Sequence, residues 1–309
     1  MTHVDRPVLV GIDGGPGSAG AMRYAVAEAA RREAPLLLAH VLPLCPAPWP
    51  PVPAVQAAPD LREVGQGILA RAADVVHGLD PQVEVESRLV IGARAAGLVE
   101  AAEGAQLVVV GRETRHGIDR VLTGATTAAV AARAHCDVVV VPSCWSNGTP
   151  RGRVVAGVKP RSDAHELLSR ALEEAGVRGA TLVLVTAWSL PDAYLDKIEV
   201  RHHATEWEAD GRQLIEHQLG DLQAAYPDVP VEIRVEHGPP ATVLRAASRD
   251  SDLLFLSRRR HAIPRGHLGG VAHALLRTSD VPVVVVPFTG NPMDPEGDLR
   301  LEAAGVPLK

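Results

Sequence analysis

Short runs of apolar residues alternate with longer stretches of mixed polarity along the whole chain. The apolar runs are continuous and rich in Val and Leu, as strands are when helices cover both faces of a parallel sheet. Several of the stretches between them are Ala-rich, which favours helix. The alternation therefore predicts an α/β fold with a doubly wound parallel sheet. In the first half, the predicted strands lie near residues 7–12, 35–42, 82–90, 106–111 and 137–142, and the predicted helices at 18–33, 60–78, 93–103 and 124–134.

The second half of the chain repeats the pattern of the first. Residues 8–13 (VLVGID) return as 154–159 (VVAGVK), and residues 34–40 (APLLLAH) return as 180–186 (ATLVLVT), in both cases 146 residues later. The final Val run at 138–142 returns 145 residues later, so the second copy is one residue shorter before its last strand. A register kept over such distances indicates a duplicated domain. We therefore expect two tandem, doubly wound, five-stranded sheets.

The same register sets the expected domain boundaries. We predict a first domain at residues 1–146, a second at 150–288, and a mostly disordered tail at 289–309, where no apolar period is present. Gly and Pro residues within 143–152 favour a linker between the domains. The Pro-rich stretch 42–59 predicts a long irregular loop inside the first domain.

Composition narrows the class of protein. Hydrophobic residues make up 46% of the chain and aromatic residues only 3%, which suits an aliphatic core, and no apolar stretch is long enough for a membrane helix. A formal charge of −6 without a long basic run gives no reason to expect nucleic-acid binding. Three cysteines are too few for a disulfide framework, and the first residues show no signal-peptide pattern. We expect a soluble, cytoplasmic protein without membrane partners.

The turn after the first strand and the loop after the fourth carry the most distinctive residues. The segment GIDGGPGS at 11–18, the segment LVVVG at 107–111, and Gly124 before an Ala/Thr-rich helix and a final Val run resemble the universal stress protein family. That family's phosphate loop has the pattern Gly-x2-Gly-x9-Gly-Ser/Thr. Its first and last glycines are present here, whereas Thr114 and Ala125 replace the middle glycine and the hydroxyl residue.

The resemblance implies that the first domain binds an adenine nucleotide, ATP with or without Mg²⁺. It also implies the strand order 3-2-1-4-5, which places the site where the order reverses, beyond the ends of the first and fourth strands. A helix that opens at Gly124 would present free amides and a positive dipole end to phosphate. Asp13 would accept hydrogen bonds from the sugar or base. The implied nucleotide-binding residues are Gly11, Ile12, Asp13, Val41, Val110, Gly111, Arg112, Thr114, Gly124, Ala125, Thr126 and Thr127.

Two of these residues have a structural alternative. Asp13 precedes Gly14 and Gly15, so its carboxylate also suits an Asx turn or the cap of a helix that begins near Ser18. Gly124 is also an ordinary residue at a helix start. The sequence leaves both interpretations of each residue open.

The second domain departs further from the family pattern. Lys159 stands at the position of Asp13 and cannot accept the hydrogen bonds that an aspartate accepts. Ser257 and Arg260 replace the first two loop glycines. We therefore expect the first domain to bind the nucleotide more tightly and the second to have lost ordinary ATP binding.

Other chemistries find little support in the sequence. Residues 15–20 match the Gly-x-Gly-x-x-Gly pattern of dinucleotide-binding folds, but no acid follows the second strand until Asp60. No nucleophile with a base and no metal-binding carboxylate pair is evident, so we expect no enzyme, and slow ATP hydrolysis is the weakest hypothesis.

Two hypotheses of different class remain. The first is a nucleotide-binding stress protein that acts as a sensor or regulator, and the second is a ligand-free dimerising scaffold with decayed phosphate loops. Under both hypotheses we expect the two domains to pair through their last strands as an intrachain pseudo-dimer, because edge strands need cover. Pairing of whole chains into a homodimer is also expected.

Overall fold

The apolar runs form strands and the segments between them form helices, as the alternation predicts. The chain divides into two units, Met1–Asn147 and Gly148–Lys309. Most of the Pro-rich loop, Thr114, Arg260 and the predicted tail lie outside the described residues. The structure is a computed structural model that describes residues 6–15, 17–43, 61–112, 120–159, 164–189, 193–258 and 268–287, with the backbone alone at 120–124 and 193–202.

The first unit is a parallel sheet with helices on both faces. Its strands are β1 (Val8–Gly11), β2 (Leu36–Leu42), β3 (Val85–Ile91), β4 (Leu107–Gly111) and β5 (Asp137–Val141), and its helices are α1 (Ser18–Arg31), α2 (Leu61–Leu79), α3 (Arg94–Ala101) and α4 (Arg120–Arg133). The strand order is β3-β2-β1-β4-β5, and every pair is parallel. Helix α1 packs beside α2, and α3 packs beside α4. This topology confirms the predicted fold class and strand order.

The second unit repeats the architecture. Its strands are β6 (Arg153–Gly157), β7 (Thr181–Trp188), β8 (Val231–His237), β9 (Leu253–Ser257) and β10 (Val283–Val286), and its helices are α5 (His165–Arg178), α6 (Ala193–Ala225), α7 (Pro240–Ala247) and α8 (Gly270–Thr278). The order β8-β7-β6-β9-β10 is the same as in the first unit, and every pair is again parallel. Among the described residues, no helix is both long and apolar enough to cross a membrane.

The duplicated register is visible in single hydrogen bonds. The amide of Ile12 donates to the carbonyl of Ala39 at 2.8 Å, and the amide of Val158 donates to the carbonyl of Val185 at 2.9 Å. Both bonds join the residue after the first strand of a unit to its second strand. The strands that they hold are almost completely buried, so each unit builds its own aliphatic core around its central strands.

Helix α4 begins earlier than the sequence predicts. It starts at Arg120, so Gly124 lies one turn inside the helix and does not open it. The intervening residues include no helix breaker, and a glycine inside a helix costs only about 1 kcal/mol, so nothing prevents the earlier start. The amides without an intrahelical partner then lie around Arg120. The predicted role of Gly124 at the helix start is therefore wrong.

Candidate functional site

A pocket opens in the first unit where the strand order reverses. It lies beyond the carboxyl ends of β1, β2 and β4 and has a volume of about 240 Å³. Crossovers leave the sheet in opposite directions at such a point, which creates a crevice. The lining residues are Gly11, Ile12, Asp13, Gly17, Ser18, His40, Val41, Pro43, Arg94, Leu98, Val110, Gly111, Thr126 and Thr127.

Most of the residues that the sequence singled out lie around this pocket. Arg112 is half-buried at the end of β4 and Ala125 is exposed on α4, and both lie outside the lining. Gly124 lies within α4, and Thr114 falls outside the described part of the chain. Their part in nucleotide binding stays a prediction. The predicted residues that the pocket brings together are Gly11, Ile12, Asp13, Val41, Val110, Gly111, Thr126 and Thr127.

Asp13 forms an Asx turn, one of the two structural roles that the sequence left open beside nucleotide binding. Its Oδ1 accepts a hydrogen bond from the amide of Gly15 at 2.8 Å and another from the hydroxyl of Ser18. The carboxylate does not cap α1. The N-cap residue of this helix is Gly17, and no side chain makes a capping hydrogen bond there. Among the described residues, no donor reaches Oδ2 of the exposed Asp13 side chain. The turn therefore orients the carboxylate and leaves one oxygen for a ligand.

The glycine at position 111 is required by a neighbouring protein segment. A Cβ added at Gly111 would lie 2.5 Å from the carbonyl oxygen of Gly17, which is too close for a backbone atom to tolerate. A glycine at this position would also let the backbone approach a ligand closely. The structure gives it an additional cause, since the turn before α1 presses against the end of β4. Gly111 therefore holds two sides of the pocket together.

Apolar side chains form one wall of the pocket. Leu98 of α3 packs 3.2 Å from the position of a Cβ at Gly11, and Val41 lies 2.9 Å from the position of a Cβ at Gly97. Both glycines let α3 lie close to the ends of β1 and β2. Nothing in the motif pointed to Leu98, because it joins the site from a helix that the family pattern does not include. Only the packing of α3 on the sheet reveals it.

His40 is a further residue that sequence reasoning missed. It is buried, and its Nδ1 donates to the carbonyl oxygen of Ile12 at 2.6 Å. This bond ties β2 to the residue that precedes Asp13, and it assigns the ring proton to Nδ1. A signal was available in the sequence, since His40 is the one polar residue in the run LLLAHVL.

Polar and charged groups also line the pocket. The hydroxyl of Thr127 approaches the carbonyl oxygen of Gly111 at 3.5 Å, the outer limit of a hydrogen bond. Arg94, at the first position of α3, is exposed and lines the pocket. Within the described residues, no group of three or more His, Cys, Asp and Glu side chains is placed to hold a metal ion. The pocket therefore combines an apolar wall with a carboxylate, hydroxyls and a guanidinium.

The comparisons with known proteins agree with the fold and its duplication. The model of the universal stress protein family matches residues 6–142 and 150–287. A universal stress protein from Mycolicibacterium smegmatis is 30% identical over 292 residues, covering 90% of this chain and 96% of that protein. Another from Mycobacterium tuberculosis H37Rv is 33% identical over 308 residues, covering 93% of this chain and 97% of that protein.

Solved structures resemble the fold. The crystal structure of a universal stress protein from Archaeoglobus fulgidus DSM 4304 matches with a TM-score of 0.65 at 14% identity, over 92% of this chain and 97% of that one. A functionally unknown protein from Pseudomonas aeruginosa PAO1 matches with a TM-score of 0.59 at 18% identity, over 97% of both chains. At these identities the likeness concerns the fold alone.

Proposed function

Since the chain belongs to the universal stress protein family, we propose that its first unit binds an adenine nucleotide, ATP above all, in the pocket beyond β1 and β4. The bound nucleotide would make the protein a sensor or regulator in the stress response. The observation that carries the proposal is the pocket itself, which lies at the reversal of strand order and gathers most of the residues that the family resemblance implies.

The base and sugar would occupy the side formed by β1, β2 and α3. Val41 and Leu98 present apolar surface there, which suits the face of a purine. Oδ2 of Asp13 supplies an acceptor for a ribose hydroxyl or a base amine, and the Asx turn restricts the rotamers of this side chain before a ligand arrives. Such preorganisation lowers the entropy cost of binding.

The phosphates would lie toward α4. Thr126 and Thr127 carry hydroxyls into the pocket, and the guanidinium of Arg94 supplies positive charge among the lining residues. Arginine suits phosphate because its planar fork donates two hydrogen bonds at once. Mg²⁺, if bound, would be held mainly by the phosphates, since the described residues offer no cluster of metal ligands.

The second unit would not bind ATP in the same way. Lys159 is exposed where Asp13 stands in the first unit, and Pro240 occupies the position of Arg94. The second site thus loses both the carboxylate and the guanidinium. We therefore propose one nucleotide site per chain.

Calorimetric titration of the full-length protein with ATP, and separately with AMP, tests the proposal. We expect one site per chain, and we expect Asp13→Lys to lower ATP affinity about tenfold to a hundredfold, because a hydrogen bond to a partly buried ligand is worth about 1–3 kcal/mol. The substitution installs the residue that the second unit already carries.

The matched control is Lys159→Asp, which places the carboxylate in the second unit and should leave the affinity of the first site unchanged. Equal binding by the parent and by Asp13→Lys would contradict the proposed site. Two equivalent sites per chain would contradict the asymmetry. A folded protein that binds neither nucleotide would favour the ligand-free scaffold.

A further inference from the structure

Helix α2 exposes an apolar stripe. Leu61, Val64, Val75 and Leu79 are between 43% and 53% exposed, although each is a large apolar residue. They account for most of the large apolar side chains that are exposed among the described residues. Their spacing keeps them on one side of the helix, since α-helices repeat every 3.6 residues. We call these four residues the α2 stripe.

The α2 stripe lies beside the face that α2 packs on the sheet. The buried face consists of Gly65, Leu69, Ala72 and Val76, and Gly65 lies so close to β3 that a Cβ there would be 2.7 Å from Leu89. A surface helix needs only one such apolar face to fold against its sheet. The four residues of the α2 stripe nevertheless remain exposed after α2 has packed on its sheet.

The second unit provides an internal control. The residues of α6 that correspond to Val64 and Val75 are Asp210 and Asp221, both exposed. The residues that correspond to Leu61 and Leu79 are Trp207, which is half-buried, and Ala225. Helix α6, which is kinked at Gly220, thus tolerates charge at two of the four positions. The apolar residues of the first unit therefore indicate a surface that is covered in the working protein.

The order of residues in the stripe indicates what covers it. The two leucines lie at its ends and the two valines lie inside them, at nearly equal distances from Ala70. An antiparallel pair of such helices would place leucine against leucine and valine against valine. Isologous contacts of this kind are self-complementary about a two-fold axis. We propose that the α2 stripe is the contact surface of a homodimer, in which α2 packs antiparallel against α2 of a second copy.

The size of the surface sets the expected strength. The stripe runs from one end of the 19-residue helix to the other, about 27 Å between its first and last residues at a rise of 1.5 Å per residue. One helix pair remains below the roughly 800 Å² per partner of a typical stable interface. The dimer should therefore dissociate on dilution.

Sedimentation velocity of the full-length protein from about 1 µM to about 100 µM tests the proposal. The parent should shift from monomer to dimer within this range. The double variant Val64→Asp and Val75→Asp, which installs the residues of the second unit, should weaken the dimer at least tenfold. Val177→Asp is the matched control, because Val177 is 60% exposed on α5 and lies outside the stripe. Thermal unfolding should show that all variants stay folded.

Crosslinking distinguishes the proposed geometry from other dimers. In a background without the native cysteines, a mixture of Val64→Cys and Val75→Cys chains treated with a short bismaleimide should form mixed dimers faster than either chain forms dimers with itself. A parent that stays monomeric over the whole concentration range would overturn the proposal. So would a dimer that survives both aspartates or one that crosslinks without this preference. None of these outcomes depends on nucleotide binding.

Discussion

At one position the two units use different side chains to bind the same backbone carbonyl, that of the residue after the first strand. In the first unit, the imidazole of His40 donates to the carbonyl of Ile12 at 2.6 Å. In the second unit, the hydroxyl of Thr186 donates to the carbonyl of Val158 at 2.8 Å. Both bonds join the second strand to the residue after the first strand. The fold therefore requires a donor at this position and accepts more than one chemical group as that donor.

The residues that face the crevice differ in chemical type between the two units. Asp13, Arg94 and Gly111 of the first unit correspond to Lys159, Pro240 and Ser257 of the second. The paired strands and their register nevertheless remain the same. The comparison teaches that the core and the crossovers preserve the architecture, while the chemistry of the crevice varies independently of it.

The largest loss of stability should come from breaking the close contact between Gly111 and Gly17. Gly111→Val places a branched side chain against the carbonyl of Gly17, and we expect it to lower the free energy of unfolding by about 3 kcal/mol, the upper end of overpacking. Ser257→Val at the corresponding exposed position should change it by no more than about 0.5 kcal/mol. Urea-induced unfolding, followed by circular dichroism, measures both values. Equal losses in the two variants would show that the turn before α1 accommodates the side chain.

A smaller loss of stability should come from replacing His40, the side-chain donor on β2 whose counterpart in the second unit is Thr186. His40→Leu leaves the carbonyl of Ile12 without its side-chain partner, and we expect a loss of about 1–2 kcal/mol of unfolding free energy. His40→Thr copies the second unit and should recover at least half of this loss. The same urea titrations measure the free energy of unfolding of both variants. A His40→Leu variant as stable as the parent would show that this hydrogen bond does not stabilise the fold.

The smallest loss of stability concerns an ion cluster of the second unit. On β8, Glu232 accepts a hydrogen bond from Arg234 at 2.7 Å and pairs with Arg153 at 3.0 Å. The hydrogen bond from Arg234, followed by the positive charges of Arg234 and Arg153, holds the pKa of the Glu232 carboxyl below its usual range. The first unit has Glu86 and Arg88 at the positions of Glu232 and Arg234, but Pro7 replaces Arg153, and Arg88 donates to the carbonyl oxygen of Ala101 at 3.1 Å.

A lowered pKa means that the folded state favours the ionised carboxyl. The pair thus contributes stability above the pKa of the unfolded chain, near 4.3 for glutamate, and loses it as the pH falls through the lower folded pKa. Because Glu232 is 45% exposed, we expect Glu232→Gln to cost less than about 1 kcal/mol at pH 7. The difference between parent and variant should shrink between pH 7 and pH 3 as the carboxyl is protonated. Urea titrations at both pH values measure it, and a difference that grows on acidification would contradict the assignment.

The sequence by itself determined the fold and its duplication. Continuous Val and Leu runs identify buried parallel strands because each run is local and needs no knowledge of its neighbours. The repeat register identifies the second unit for the same reason, since it compares the chain only with itself. The family resemblance then led to most of the residues that line the pocket.

Only the tertiary structure decided what surrounds those residues. It showed that Asp13 holds an Asx turn with Ser18, that Gly111 makes room for Gly17, and that Arg94 reaches the pocket from α3. It also placed the start of α4 ahead of Gly124. These facts depend on which segments meet in space, and segments far apart in the chain leave no local periodicity to detect. The exposed α2 stripe is a further case, because an apolar residue in a helix is recognised as exposed only after its neighbours are in place.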